Sequence, residues 1–352
     1  MSNRVIITCP YFSEGAGGVA TFYKVYAEKQ TQNARLFYIG KDKPCGMIRT
    51  LSLLLWQYLK LFFIMPKYDL LVVNPSLKPN AISRDTFSVQ IARFWKKKTC
   101  VFWRGFDEEF YNTEVKQNYR QKLQKGLFNV DYTIVLGRKI YEKYHDLGLN
   151  TPYSFGSTML DGELLRTTPK VFSEKRFVIL FLARLIKGKG VFEALEAFKV
   201  FHQNHPEAVF VIAGSGEDSE AVKEYVATNQ LQNITLMGDV RGERKKTCYE
   251  SADVYLFPSY TEGMPNSVLE ALGMGLPIIT SSVGAVPDFF ENGKMGVLMQ
   301  GHSKEEIIDA LENLYHKKNS FSEISEYNRE YAAKHFLDKM VIDHLGKIFA
   351  EI

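Results

Sequence analysis

Residues 262–277 read Glu262-Gly263-Met264-Pro265-Asn266-Ser267-Val268-Leu269-Glu270-Ala271-Leu272-Gly273-Met274-Gly275-Leu276-Pro277, two carboxylates set around a loop that turns into a helix. The apolar run 254–257 precedes this stretch and Ile278-Ile279 follows it. The pattern is therefore strand, loop, helix, strand. Acidic groups at the loop and helix start, at the carboxyl end of a parallel strand, suit a hydroxyl-rich or phosphorylated ligand. Ser267 and Glu270 also fit a capping box, with Ser267 at the N-cap and Glu270 three residues on. The two readings are compatible, since a capping Glu can still offer an oxygen to a ligand. The helix start beyond Pro265-Asn266 has free N–H groups and a positive dipole end, which suit a phosphate.

Outward from this segment, strands and helices alternate along the whole chain. Strands are expected at 5–8, 36–39, 70–73, 99–103 and 132–136, with helices at 19–30, 51–64, 86–94, 119–128 and 138–147. Residues 150–175 are rich in Thr, Ser, Pro and Gly and read as a linker. The pattern restarts with strands at 177–183, 209–213, 234–237, 254–257 and 278–279, and helices at 191–202, 217–228, 244–251 and from 267. Amphipathic helices at 307–316 and 321–351 close the chain. Alternation of this kind predicts parallel α/β sheets, here two doubly wound domains in tandem with a cleft between them. The expected domains are 1–165, 166–329 and a final helix, 330–352, that crosses back to the first. Closure of the two domains over a ligand is expected.

Four further loops carry candidate chemistry. Arg184 and Lys189 flank a glycine-bearing turn after the strand at 177–183, a planar fork and a point charge fit to clamp a diphosphate; basic residues on such loops are also often only solvated. Gly214-Ser215-Gly216 opens the helix after the next strand, and its glycines permit close approach of a ligand or merely a tight turn. Gly15-Ala16-Gly17-Gly18 sits at the first βα turn, where glycines permit approach to a phosphate or a sugar. The acidic residue that would bind the ribose of a nicotinamide cofactor is absent after Tyr38-Ile39-Gly40, which weakens an oxidoreductase reading. Finally, Arg104 and Asp107 end the fourth strand; they can bind an acceptor's phosphate and hydroxyl, or pair with each other to hold the loop.

Composition bounds the class. The chain has 352 residues, 45% hydrophobic and 24% charged, as in ordinary proteins with sizeable cores. Cys9, Cys45, Cys100 and Cys248 show no paired spacing and read as reduced thiols of a cytoplasmic protein. No secretory signal is expected at the first apolar run, which is only a strand's length. Charge is uneven: residues 1–168 hold 24 Lys+Arg against 14 Asp+Glu, while the remainder is acidic. The first half is thus suited to an anionic partner, or simply presents a solvated basic surface. The helix around 51–65 has too many large apolar groups for one core-facing stripe, and Lys60, Lys67 and Lys96-Lys97-Lys98 lie near it. It can seat the domain on an anionic membrane or cover the sheet as a buried helix.

Together these motifs resemble the retaining GT-B glycosyltransferases of family 4, of the type that builds bacterial capsule, O-antigen and exopolysaccharide. The match is the Glu-x7-Glu pattern of Glu262 and Glu270 with Ala271–Pro277 behind it, Arg184 and Lys189, Gly214-Ser-Gly-Glu217, Met237-Gly238 and Ser282–Asp288. It covers the second domain, and in the first it rests on Gly17-Gly18 and element order. The resemblance implies two Rossmann-like domains facing across a cleft, a nucleotide-sugar donor (UDP- or GDP-linked) held by the second, and a glycan or polyprenyl-diphosphate-linked acceptor held by the first. It implies that Glu270 holds the ribose and that Arg184 and Lys189 hold the diphosphate. Glu262 with Gly263, Met264, Pro265, Asn266 and Ser267 would bind the sugar, and Asp239 and Val240 would meet the base. Gly17, Gly18, Gly214 and Gly216 complete the donor site. No metal or other cofactor is implied, because two cations and a helix dipole take its place, and no nucleic-acid partner is expected. The family's usual His after the fourth strand is missing; Trp103-Arg104-Gly105-Phe106-Asp107 stands there, so Arg104 or Asp107 takes that role or it is absent. An NAD(P)-dependent oxidoreductase and a non-catalytic, membrane-associated sugar-nucleotide-binding protein are the alternatives. Location at the inner face of the cell membrane follows from the basic first domain.

Overall fold

A computed structural model describes residues 3–12, 18–30, 34–43, 45–173 and 175–352. The chain divides into two compact units, residues 1–159 with 338–352, and residues 160–337. These bounds lie a few residues from the 165/166 and 329/330 expected.

In the first unit, β1 (Val5–Cys9), β2 (Ala34–Tyr38), β3 (Leu70–Val73), β4 (Lys98–Phe102), β5 (Tyr132–Val135) and β6 (Tyr153–Phe155) form one sheet in the order β2-β1-β3-β4-β5-β6. Every pairing is parallel. Strands covered on both faces need continuous apolar runs rather than alternation, and β1 and β3 are buried at every position. The second unit repeats the plan with β7 (Phe177–Leu182), β8 (Ala208–Ala213), β9 (Ile234–Gly238), β10 (Val254–Phe257), β11 (Ile278–Ser281) and β12 (Gly296–Met299), ordered β12-β11-β10-β7-β8-β9. Its pairings are parallel as well. Phe177, Phe181, Phe198, Phe201 and Phe210 fill the core between this sheet and its helices. The strand order reverses between β1 and β3 in one sheet and between β7 and β10 in the other. Loops diverge there and leave a crevice at the carboxyl ends of the strands.

Helix Asp338–Glu351 buries Val341, Ile342, Leu345, Ile348 and Phe349 along one stripe. It belongs to the first unit, where Asn3 Nδ2 donates to the Phe349 carbonyl at 3.0 Å and His344 Nε2 to that of Phe155 at 3.1 Å.

Several elements differ from their sequence reading. The presumed linker contains β6, a three-residue edge strand too short and too exposed to show periodicity. The helix expected at 119–128 begins at Glu108, after Asp107 caps it, and runs through a wide π-type stretch at Tyr111–Tyr119. The long closing helix is two, Phe321–His335 and Asp338–Glu351, parted where Leu160 N–H donates to the Phe336 carbonyl at 2.7 Å. Helix Met47–Ile64 does not cover the sheet as a buried helix would. It buries only Gln57 and Leu61, and Met47, Ile48, Leu51, Leu55, Trp56, Leu59 and Phe63 are exposed. Gln57 anchors it, its amide accepting from Gly40 N–H and donating to the Gly40 carbonyl, both at 2.9 Å. By length and composition the helix could cross a membrane.

Gly214 shows how tightly the loops are drawn together. Its φ is +136°, and a Cβ there would lie 1.8 Å from the Ala183 carbonyl oxygen. The glycine serves the protein's own backbone, since the β7 and β8 loops meet at this point. Gly214→Ala is expected to cost about 3 kcal/mol of stability, as strain at a positive φ adds to a backbone collision; urea unfolding followed by circular dichroism measures it.

Candidate functional site

The loops after β7 and β10 leave the switch point of the second sheet side by side. Tyr260 N–H and the Ser259 hydroxyl both donate to the Gly188 carbonyl, at 3.0 and 3.2 Å. Gly190, at φ +75°, begins helix Val191–Asn204, and a Cβ on it would come within 2.1 Å of the Pro258 carbonyl oxygen. This stitching brings Lys189 from one loop against Glu262 from the other. Lys189 Nζ donates to Glu262 Oε1, and the Ser259 hydroxyl donates to the same oxygen at 3.1 Å. Both charged side chains are only 14% exposed, so the pair is screened little by water.

The loop 262–266 rests on the segment behind it. Ala285 N–H donates to the Gly263 carbonyl at 2.8 Å, and Gly284, at φ +55°, lies beneath Glu262 and Gly263 with no room for a side chain. Helix Asn266–Gly273 then starts with Pro265 at its N-cap. The expected capping box is not formed. Ser267 is inside the first turn and its side chain caps nothing, because a proline at the cap already fixes the chain's entry into the helix. Val268 N–H donates to the Pro265 carbonyl at 3.2 Å, and the N–H groups of Asn266 and Ser267 have no acceptor within the helix. A capping box does form elsewhere, between Ser303 and Glu306.

Glu270, freed from capping, is held from both sides. Lys245 Nζ donates to Oε1 at 2.8 Å and the Tyr249 hydroxyl to Oε2 at 2.9 Å. Burial first, and then the charge of Glu270, push the Tyr249 phenol well above its ordinary pKa. It therefore remains a donor at any physiological pH. Lys245 and Tyr249 were not anticipated from sequence. Their four-residue spacing on helix Gly242–Ser251, which puts both on one face, was the available signal.

The remaining candidates are distributed as follows. The Arg184 side chain is exposed and makes no hydrogen bond or ion pair among the described residues, while its carbonyl accepts from Ile186 N–H at 3.0 Å. Gly216, like Gly214, is required by the protein's own backbone, a Cβ there falling 2.3 Å from the Leu185 carbonyl oxygen. Asp239 forms an exposed ion pair with Arg241 at 2.9 Å, while Val240 is buried. In the first unit, Gly17 lies outside the described residues and Gly18 begins helix Gly18–Lys29. Arg104 and Asp107 do not pair. Asp107 Oδ1 accepts from Phe110 N–H at 2.9 Å, and Arg104 is buried against the rings of Phe22 and Phe102. The structure thus brings together Lys189, Glu262 and the loop 263–266, and fixes Glu270 at the far end of that helix's first turn.

Residues 167–331 match the family described as "Glycosyl transferases group 1". Among curated proteins, the capsular polysaccharide biosynthesis glycosyltransferase CapM of Staphylococcus aureus is 24% identical over 204 residues, 57% of this chain and 53% of that protein. The alpha-monoglucosyldiacylglycerol synthase of Acholeplasma laidlawii is 27% identical over 237 residues, 64% of this chain and 59% of that protein. The chain thus spans little more than half the length of these relatives. Among solved structures, Anabaena HepE in complex with UDP superposes with a TM-score of 0.79 at 13% identity, covering 99% of this chain and 100% of that one. Sucrose-phosphate synthase of Thermosynechococcus elongatus gives 0.78 at 15% identity, covering 99% and 98%. The match to the group 1 glycosyl transferases thus falls within the second unit, in a chain that has the GT-B fold of two Rossmann-like units.

Proposed function

We propose that this chain transfers a sugar, with retention, from a nucleotide-diphosphate sugar to a glycan or lipid-linked glycan acceptor in the synthesis of a bacterial surface polysaccharide. The observation that carries the reading is the meeting of Lys189 and Glu262 at the switch point of a sheet that lies within the matched residues. A UDP donor is favoured over GDP by the fold's likeness to HepE, whose structures were determined with UDP and with UDP-glucose.

In this reading Glu270, its carboxylate oriented by Lys245 and Tyr249, accepts hydrogen bonds from the ribose hydroxyls. Arg184 and Lys189 hold the diphosphate, and the free N–H groups at the start of helix Asn266–Gly273 add to the positive field. Glu262 and the loop 263–266 take the sugar, and Asp239 and Val240 take the base. The bond from the anomeric carbon to the diphosphate oxygen breaks, the acceptor oxygen attacks the same face, and its proton passes to the departing diphosphate. Charge developing on that diphosphate is offset by the two cations, so no metal is required. Lys189 is already paired with Glu262 without ligand, so a diphosphate must exchange one anion for another.

The exposed helix Met47–Ile64 would place the first unit on a membrane, at the inner face of the cell membrane. Phe62, Phe94 and Trp95 extend its apolar surface, the rings of Phe94 and Trp95 lying 5.1 and 5.3 Å from that of Phe62. Lys60, Lys67 and Lys96 are exposed around it. Apolar side chains ringed by lysines suit the boundary of an anionic bilayer.

Release of labelled nucleotide from a panel of UDP-, GDP- and ADP-sugars tests the activity, and chelation by EDTA is expected to leave it unchanged. In calorimetry with UDP, Glu270→Ala and Lys189→Ala are each expected to weaken affinity about 10-fold or more, the loss of a charge-assisted hydrogen bond. Unchanged affinity in both would refute the site. Flotation with vesicles containing anionic lipid is expected to carry the protein, and Trp56→Ser with Phe63→Ser to abolish it. Protein left in the soluble fraction would exclude the membrane contact.

A further inference from the structure

Among the described residues, nothing around Arg104 neutralises its charge. The residue is 6% exposed, and its Nε and Nη1 are enclosed without a hydrogen-bond acceptor. Its Cζ lies 3.8 Å over the ring of Phe22 and 4.3 Å over that of Phe102. Burial lowers its pKa to about 10, opposed only by the Tyr23 phenol, so it stays protonated at neutral pH. Tyr23 is no counter-ion, because burial holds that phenol protonated and its hydroxyl donates to Asn74 Oδ1 at 2.5 Å. Asn74 Nδ2 donates in turn to the Thr8 carbonyl. The nearby acids are engaged elsewhere: Asp107 caps its own helix and Glu108 pairs with Lys143. Two ring faces return only a fraction of the cost of burying a cation without an anion.

A second feature of the same sign stands beside it. Helix Gly18–Lys29 has no acidic residue in its first turn. Phe22 is one turn into that helix, and helical side chains lean toward the amino end. The ring that the guanidinium covers thus belongs to the helix whose first-turn N–H groups have no intrahelical acceptor. Arg104 N–H donates to the Pro75 carbonyl at 2.9 Å, which ties this loop to the one leaving β3, at the switch point of the first sheet.

We propose that Arg104 and the first turn of helix Gly18–Lys29 form a binding site for a phosphate or diphosphate group. Its assignment to the acceptor rests on the glycosyltransferase reading; the anion site itself does not. The site takes a planar fork of N–H donors to two oxygens of one phosphate, with helix N–H groups on the other side. The unliganded protein gives up stability to hold a cation whose partner arrives with the substrate.

The test is calorimetric titration of inorganic pyrophosphate into the full chain saturated with UDP, which blocks the diphosphate site of the second unit. Binding is expected, and Arg104→Gln is expected to weaken it at least 10-fold while leaving UDP affinity unchanged and the melting temperature equal or higher. Arg104→Lys is expected to restore some of the affinity. Pyrophosphate binding that needs Arg104 but is displaced by UDP would keep the site and assign its phosphate to the donor. No binding of pyrophosphate to the UDP-free or the UDP-saturated protein, or equal binding by Arg104→Gln, overturns the proposal, as does a fall in melting temperature with unchanged binding. Failure of UDP itself to bind would instead count against the donor site.

Discussion

The Pro258 carbonyl oxygen occupies the space that a side chain on residue 190 would need, and the second unit's candidate site follows from that exclusion. With glycine there, the loops after β7 and β10 come close enough to exchange hydrogen bonds at Gly188. Only then do a cation from one loop and an anion from the other reach each other. Gly284 acts in the same way behind that layer, and lets the segment after β11 support the loop that carries Glu262. The functional side chains are thus placed by backbone contacts that tolerate no Cβ, which is a stiffer support than side-chain packing alone supplies.

Much of this was legible in the sequence, and the reasons differ by element. The buried strands announced themselves, because a parallel strand covered on both faces has to be apolar throughout, as β3 and β10 are. The positions of Lys189 and Glu262 followed from their places in the loops after strands, and that of Glu270 from the helix after Glu262. What stayed hidden depended on partners distant in the chain. The Ser267–Glu270 spacing promised a cap, yet Pro265 takes the cap position and Glu270 turns to Lys245 and Tyr249. The fork of Arg104 promised a partner in Asp107, yet the shorter path for that carboxylate was to the N–H three residues on. Edge strand β6 escapes a reading from periodicity because it is short and exposed, whereas the helix Met47–Ile64 was expected, and its excess of large apolar groups over one core-facing stripe left open the exposed face it presents.

The two units treat charge in opposite ways. In the second, Lys189 is paired with Glu262 and Lys245 with Glu270, while Arg184 has no ion-pair partner among the described residues. On the proposed reading, ligand recognition there is an exchange of partners. In the first, Arg104 has no anion beside it among the described residues. An unpaired buried cation favours whatever restores neutrality, so recognition there is an addition.

The helix Asp338–Glu351 belongs to the first unit although the whole of the second unit intervenes in sequence. Residues 160–337 are contiguous and contain every strand of their own sheet. During translation, therefore, the unit begun first is the one completed last. Its helix Gly18–Lys29 and the side-chain amide of Asn3 must wait for their partners until Val341 to Phe349 have left the ribosome. The second unit can acquire its native contacts while the first is still open, an inversion of the usual amino-to-carboxyl order of domain folding.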